Sequence, residues 1–158
     1  MKEATMTKKI LTKDEILNLI PQQAPFRFID DILELDDNHI VGQYRFREDE
    51  FFYAGHFPGK PITPGVILIE AMAQVGVVAF GLYLLSKDLD ASQLNQYVTL
   101  FSDGQAEFYH PVYPGDLIIS RAEKIFWRQK KLRCKIEAHN GEGKLVASSI
   151  ISGMGVPK

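Results

Sequence analysis

Residues 65 to 85 form a long apolar run, GVILIEAMAQVGVVAFGLYLL, which limits the folds that this chain can adopt. About 20 apolar residues are enough to cross a bilayer as a helix. Glu70 and Gln74 lie inside the run, however, and a carboxylate at the bilayer centre costs several kcal/mol. No second run of this kind accompanies it. The sequence therefore predicts a helix wrapped by protein in a soluble domain, with no membrane contact.

The segment before this run, AGHFPGKPITPG, combines stiff prolines with permissive glycines. Thr63 is expected as the N-cap, with Pro64 at the first helical position and Gly65 behind it, because the first turn does not need the N–H that proline lacks. The helix is expected to end near Leu85, where the polar stretch SKDLDASQ begins.

The rest of the chain predicts one short helix and several strands. Thr12 and Glu15 form a capping box, and Pro21 ends the helix that follows them. The stretch FRFIDDILELDDNHIVGQYRFRED is typical of a hairpin, and strand and turn signals fill about sixty residues from QYVTLF onward. We expect an α+β layer design, a long central helix against five or six mostly antiparallel strands, as one domain over residues 1–158 with a flexible segment at 1–10.

Composition excludes several functional classes. The formal net charge of −2 gives no basic field for nucleic acid. The single cysteine, Cys134, excludes an intramolecular disulfide or a cysteine metal cluster and suits a reducing cytoplasm. The first twenty residues lack the apolar core of a signal peptide. No histidine pair has metal-ligand spacing, so no metal is expected, and His39, His110 and His139 are interpreted as surface or structural residues.

His56 and Glu70 are the residues best suited to chemistry. Histidine removes a proton near neutral pH, and burial favours the protonated form of a carboxyl group, so the two could serve as base and acid in an elimination. The Gly65 amide at the helix start could stabilise a developing oxyanion, and Gln74, one turn beyond Glu70, could orient that carboxyl group. A buried histidine and glutamate with only structural roles fit the same pattern, so the residues alone leave both interpretations open.

Three motifs resemble the hotdog-fold (3R)-hydroxyacyl-[acyl-carrier-protein] dehydratases of fatty acid synthesis. They are GHFPGKPITPGVILIEAMAQ, the turn HPVYPGD and the N-terminal segment APFRFIDDILEL. The resemblance implies that His56 abstracts the C2 proton and that Glu70 protonates the leaving hydroxyl, giving a trans-2-enoyl product. It also implies a substrate-binding set of Gly65, Val66 and Gln74, in which the Gly65 amide binds the thioester carbonyl, and no cofactor.

The resemblance further implies a homodimer in which each site takes His56 from one chain and Glu70 from the other, and it allows a trimer of dimers. An acyl carrier protein would deliver the substrate, and a basic cluster could dock it: Arg121, Lys124, Arg128, Lys130 and Lys131. A solvated strand face explains this cluster equally well. Related polyketide or polyene pathways use the same chemistry.

Three departures from the family pattern bear on the preferred acyl chain length and the pathway more than on the reaction. They are Thr63 in place of methionine, His110 in place of arginine, and QQAPF in place of H-R-Y-P-F. Glu70, where the isomerising branch carries aspartate, favours plain dehydration. A hotdog thioesterase and a non-catalytic acyl-thioester binding subunit are the alternatives. A thioesterase activates water with a carboxylate and does not need His56, so His56 argues against it. A binding subunit needs no acid-base pair, so His56 and Glu70 together argue against that alternative.

Overall fold

The computed structural model describes residues 10–158. Six antiparallel strands form one sheet in the order β1-β2-β4-β5-β6-β3, curled around a central helix. This is the predicted fold class, and it is confirmed. The strands are β1 (Asp31–Leu35), β2 (His39–Arg45), β3 (Tyr97–Phe108), β4 (Leu117–Arg128), β5 (Lys131–Asn140) and β6 (Leu145–Pro157). The expected flexible segment at 1–10 lies, except for Ile10, outside the described residues.

The central helix runs without interruption through three segments: α2 (Gly65–Ala73), a π-helical segment (Gln74–Ala79) and α3 (Phe80–Leu85). Among residues 10–158 this is the one helix long and apolar enough to cross a membrane, and 78% of its most apolar window is buried inside the protein. It is therefore the core helix that the sequence predicts. The π-helical segment was not predicted, because no local sequence signal distinguishes it from an α-helix.

Glycines let this helix approach the sheet closely. A Cβ at Gly76 would lie 2.4 Å from Cδ1 of Ile136 on β5, and one at Gly42 on β2 would lie 2.8 Å from Cγ2 of Val75. Both distances are shorter than real Cβ contacts, so a larger residue at either position would push the helix off the sheet.

Two other helices are short. The first, α1 (Lys13–Leu19), has the expected capping box: the Thr12 hydroxyl accepts from the Glu15 amide at 3.2 Å, and the Glu15 carboxylate accepts from the Thr12 amide at 2.8 Å. A four-residue helix, α4 (Ala91–Leu94), joins the central helix to β3.

The start of the central helix differs from the prediction. Pro64 is the N-cap and Gly65 is the first helical residue, so the expected role of Thr63 as the N-cap is wrong. The Thr63 hydroxyl lies 2.6 Å from the hydroxyl of Tyr53 instead, and the Thr63 amide donates to the Val112 carbonyl at 2.8 Å. The Thr63 hydroxyl therefore forms a hydrogen bond with a distant residue and does not cap the helix.

Strand β3 is an edge strand and has unusual exposure. It pairs with β6 along one side, and eight of its twelve residues are exposed. Leu100, Phe101 and Phe108 are each about half exposed, at 55%, 51% and 47%. A long edge strand with exposed apolar side chains is a template for pairing with another chain.

Candidate active site

His56 lies on the loop between β2 and α2, and its ring is oriented by the same loop. Its Nδ1 is 2.8 Å from the carbonyl oxygen of Ile62, and the Ile62 amide donates back to the His56 carbonyl at 2.9 Å. A carbonyl oxygen only accepts, so Nδ1 carries the proton in the neutral ring. The lone pair then resides on Nε2. The ring of Phe57 stacks on the imidazole, with the centroids 4.3 Å apart.

The start of α2 presents backbone donors beside this loop. Amides in the first turn of a helix have no acceptor within the helix and lie at its positive end. A Cβ at Gly65 would come within 3.0 Å of Cζ of Phe108, so a side chain at this position would collide with that ring. The next residue, Val66, points outward and is 71% exposed.

Glu70 is half-buried on α2 and is held by Gln74. Nε2 of Gln74 donates to Oε1 of Glu70 at 2.9 Å and to the Phe26 carbonyl at 2.9 Å, while Oε1 of Gln74 accepts from the Phe28 amide at 2.6 Å. Gln74 is fully buried. Its amide therefore connects Glu70 to the segment that precedes β1.

A cavity of about 420 Å³ opens beside His56. Its walls come from the His56 loop, the start of α2 and the segment that follows β3: His56, Phe57, Ile62, Thr63, Gly65, Leu68, Phe108, Tyr109, His110, Pro111 and Val112. Most of these side chains are apolar. Such a cavity with a few polar groups is typical of a small-molecule site.

Glu70 of the same chain is not part of this cavity wall. Five residues separate it from Gly65, which rotates its position by about 140° around the helix and moves it about 7.5 Å along the axis. In the described chain, His56 and Gly65 therefore line one cavity, whereas Glu70 bonds Gln74 on a different face of the central helix from Gly65.

His110 is the cavity residue that sequence reasoning missed. It was interpreted as a surface or structural residue, but it is half-buried and lines the same cavity as His56. The available signal is its place as the first residue of the HPVYPGD motif, where the family pattern has arginine. The other two histidines lie elsewhere: His39 begins β2, with Glu34 and Asp36 as partners, and His139 lies near the end of β5.

The predicted docking residues lie on β4, β5 and the turn between them. Arg121 contacts Glu34 and Glu123 at 3.3 and 3.5 Å, and Lys131 contacts Asp103 at 3.3 Å. Arg128 lies over Phe126, and Lys130 lies over Tyr97 at the start of β3. Lys124 is half-buried. Carboxylates therefore neutralise part of the cluster, and the turn at 128–130 carries its freest charges.

The described residues offer little for metal or thiol chemistry. Within residues 10–158, no set of three or more His, Cys, Asp or Glu side chains is arranged to hold a metal ion. Burial raises the pKa of the Cys134 thiol from 9.0 to about 12, so this side chain remains a neutral thiol in the core.

A family model and the similar curated proteins agree on the family of this chain. The model of the FabA-like domain matches residues 20–149. A 3-hydroxyacyl-[acyl-carrier-protein] dehydratase FabZ from Hydrogenobaculum is 41% identical over 113 residues, covering 70% of this chain and 72% of the relative. A protein of the same name from Ehrlichia chaffeensis is 37% identical over 142 residues, covering 89% of this chain and 92% of the relative.

Solved structures agree on the fold. A chain of the dehydratase heterocomplex ApeI:P from Xenorhabdus doucetiae superimposes with a TM-score of 0.73 at 16% identity, covering 90% of this chain and 91% of that one. A thioesterase from Haemophilus influenzae gives a TM-score of 0.65 at 17% identity, with coverage of 97% and 96%. Dehydratases and thioesterases share this architecture, so the fold alone does not select the reaction.

Proposed function

The chain belongs to the FabA-like domain family, and from this premise we propose that it dehydrates (3R)-hydroxyacyl groups on acyl carrier protein in fatty acid synthesis. The product is the trans-2-enoyl thioester. The observation that carries the proposal is the hydrogen bond from Nδ1 of His56 to the Ile62 carbonyl, which leaves Nε2 as a base at the wall of an apolar cavity.

The reaction needs a base for the C2 proton, a donor for the charge that develops on the thioester oxygen and an acid for the leaving hydroxyl. Nε2 of His56 takes the proton, and the Gly65 amide donates to the thioester oxygen. The C3–O bond breaks, and the hydroxyl leaves as water with a proton from Glu70. Proton transfer from His56 back to Glu70 through solvent resets the site.

A homodimer supplies the acid to each cavity. Glu70 lies on a different face of α2 from Gly65 and is absent from the cavity that its own His56 lines, so Glu70 of the partner subunit protonates the hydroxyl in our proposal. The exposed edge of β3 is the surface for this pairing, since Phe108 lies both on this strand and in the cavity wall. Gln74 orients the carboxyl group of Glu70 within each chain.

Antiparallel pairing of β3 with its copy also brings a basic turn toward each cavity. Lys130 lies over Tyr97 at the beginning of β3, whereas Phe108 ends the strand. In an antiparallel pair, the beginning of one strand lies opposite the end of the other. Arg128 and Lys130 of one subunit would then flank the cavity of the other, where an acidic carrier protein delivers its substrate.

We also propose that the reaction takes place in the cytoplasm. Thiols stay reduced in that compartment, which suits a chain whose single cysteine, Cys134, is buried as a free thiol.

The decisive experiment follows formation of the enoyl product from a (3R)-hydroxyacyl substrate, on carrier protein and on pantetheine. Wild type is compared with His56→Ala and Glu70→Gln, and we expect each change to lower kcat at least about 100-fold. Release of free thiol without enoyl product would identify a thioesterase instead. Substrate binding without either product would identify a binding subunit.

The docking proposal is tested with the same two substrates. Arg128→Glu and Lys130→Glu should raise KM for the carrier-bound substrate and leave the pantetheine substrate unaffected, because free pantetheine has no acidic protein to dock. An equal effect on both substrates would contradict docking at this turn.

A further inference from the structure

The hydrogen-bonding capacity of the cavity wall points to an additional role for His110. This residue follows β3 directly, is half-buried, and its backbone amide donates to the Val146 carbonyl at 3.4 Å. Within residues 10–158 its imidazole has no hydrogen-bond partner. Its ring therefore has a free donor and a free acceptor at the wall of a largely apolar cavity.

The other polar side chains of the wall already form hydrogen bonds within the protein. The Thr63 hydroxyl lies 2.6 Å from the hydroxyl of Tyr53. The Tyr109 hydroxyl donates to Glu107 at 2.8 Å and lies 3.1 Å from the Ser148 hydroxyl. Nδ1 of His56 donates to Ile62. A ligand then meets Nε2 of His56, the Gly65 amide and, as the one other unengaged polar side chain of the described wall, the imidazole of His110.

The proposed reaction uses the first two of these groups, on the C2 proton and on the thioester oxygen. The acyl tail is apolar and needs no hydrogen bond. On the other side of the sulfur, two methylene groups lead to the first amide of the pantetheine arm. A buried amide without a partner loses the free energy of its hydrogen bonds to water, so an apolar cavity that holds this arm needs a polar group near the sulfur.

We propose that His110 hydrogen-bonds the pantetheine amide nearest to the thioester sulfur and so positions the substrate in the cavity. This assignment rests on the proposed function. It concerns a part of the substrate that His56, Gly65 and Glu70 do not contact. His110 thereby distinguishes acyl groups on a pantetheine arm from other thioesters.

Two thioesters of the same (3R)-hydroxy acid test the assignment. One carries N-acetylcysteamine, which contains the first amide of the arm. The other carries a pentyl group of equal chain length without the amide. Wild type should prefer the first in kcat/KM by about three- to tenfold, the range of a single hydrogen bond. The His110→Phe variant should lose the preference while it retains activity toward the pentyl thioester.

A second variant and a control separate this role from folding effects. His110→Gln keeps a donor and an acceptor and should retain part of the preference. His139→Phe changes a half-buried histidine on β5, which is not part of the cavity wall, and should retain all of it.

The assignment is overturned if His110→Phe lowers kcat/KM equally for both thioesters, or if it keeps the full preference for the amide. Wild type that converts the pentyl thioester as fast as the amide-containing one also overturns it, with dehydration intact. Wild type that dehydrates neither thioester overturns the dehydratase proposal and this assignment together.

Discussion

Gln74 donates a hydrogen bond of 2.9 Å to the carboxylate of Glu70, one helical turn earlier on the central helix. The same side-chain amide bonds the backbone of Phe26 and Phe28 and is fully buried. The orientation of Glu70 therefore depends on a residue whose other contacts lie in a distant part of the chain.

Replacing Gln74 with methionine should affect both stability and catalysis. The change keeps the volume and leaves the Phe28 amide and the Phe26 carbonyl without partners, which costs about 2–4 kcal/mol of unfolding free energy. Urea unfolding measures this loss. We expect kcat to fall because the Glu70 carboxyl group loses its orientation, with a smaller change in KM. Unchanged kcat in the folded variant would show that Gln74 has only a structural role.

Gly65→Ala should lower activity through Phe108. The added Cβ would lie 3.0 Å from the Phe108 ring, which has to move within the cavity wall. The ring has to move by a few tenths of an ångström at a substrate-positioning wall, so we expect kcat/KM to fall by about 10-fold. Gly55→Ala is the matched control, because a Cβ there meets no atom within 4 Å. Equal kinetics for the two variants would contradict this role of Gly65.

Mixing two inactive variants tests the proposal that two subunits share each site. In a 1:1 refolded mixture of His56→Ala and Glu70→Gln chains, half of the dimers are mixed, and each mixed dimer contains one intact site. Activity should therefore recover to about a quarter of the wild-type value. A mixture that stays as inactive as its components would show that each site takes both residues from a single chain.

Charges on the β3 edge should separate the subunits. Leu100→Glu combined with Phe101→Glu puts carboxylates on an apolar edge where each side chain is about half exposed. Sedimentation velocity should then show monomers, and dehydration should fall by about 90% or more because each cavity loses the partner's acid. Leu33→Glu, on the opposite edge strand β1 with 41% exposure, is the control and should leave both properties unchanged.

The buried thiol predicts a pH dependence. Burial raises the pKa of Cys134 from 9.0 to about 12, so the folded protein keeps the neutral thiol while the unfolded chain ionises. Because the folded pKa is the higher one, this group contributes stability below pH 9 that is lost progressively between about pH 9 and pH 12. Melting temperatures of wild type should therefore fall more steeply than those of Cys134→Ala as pH rises from 8 to 10.5. Parallel curves would contradict the raised pKa.

Much of the fold could be predicted because its signals are local. The long apolar run and the Pro-Gly step before it predict the central helix, strand and turn signals predict the sheet, and the Thr12–Glu15 capping box predicts the start of α1. Each pattern reflects hydrogen bonds and burial along a few consecutive residues. The GHFPG loop and the carboxylate fourteen residues beyond His56 were sufficient to select the candidate acid and base.

Tertiary structure decided what depends on contacts between distant segments. Thr63 does not cap the central helix because Tyr53, ten residues earlier, contacts its hydroxyl. Glu70 is not in the wall of the cavity that its own His56 lines, because the face of α2 that meets the His56 loop is set by packing, which spacing along the chain does not determine. His110 joins the cavity because β3 delivers its end to the start of α2. Sequence by itself determined the elements and the reactive residue types, whereas packing between elements decided which of those residues share a cavity.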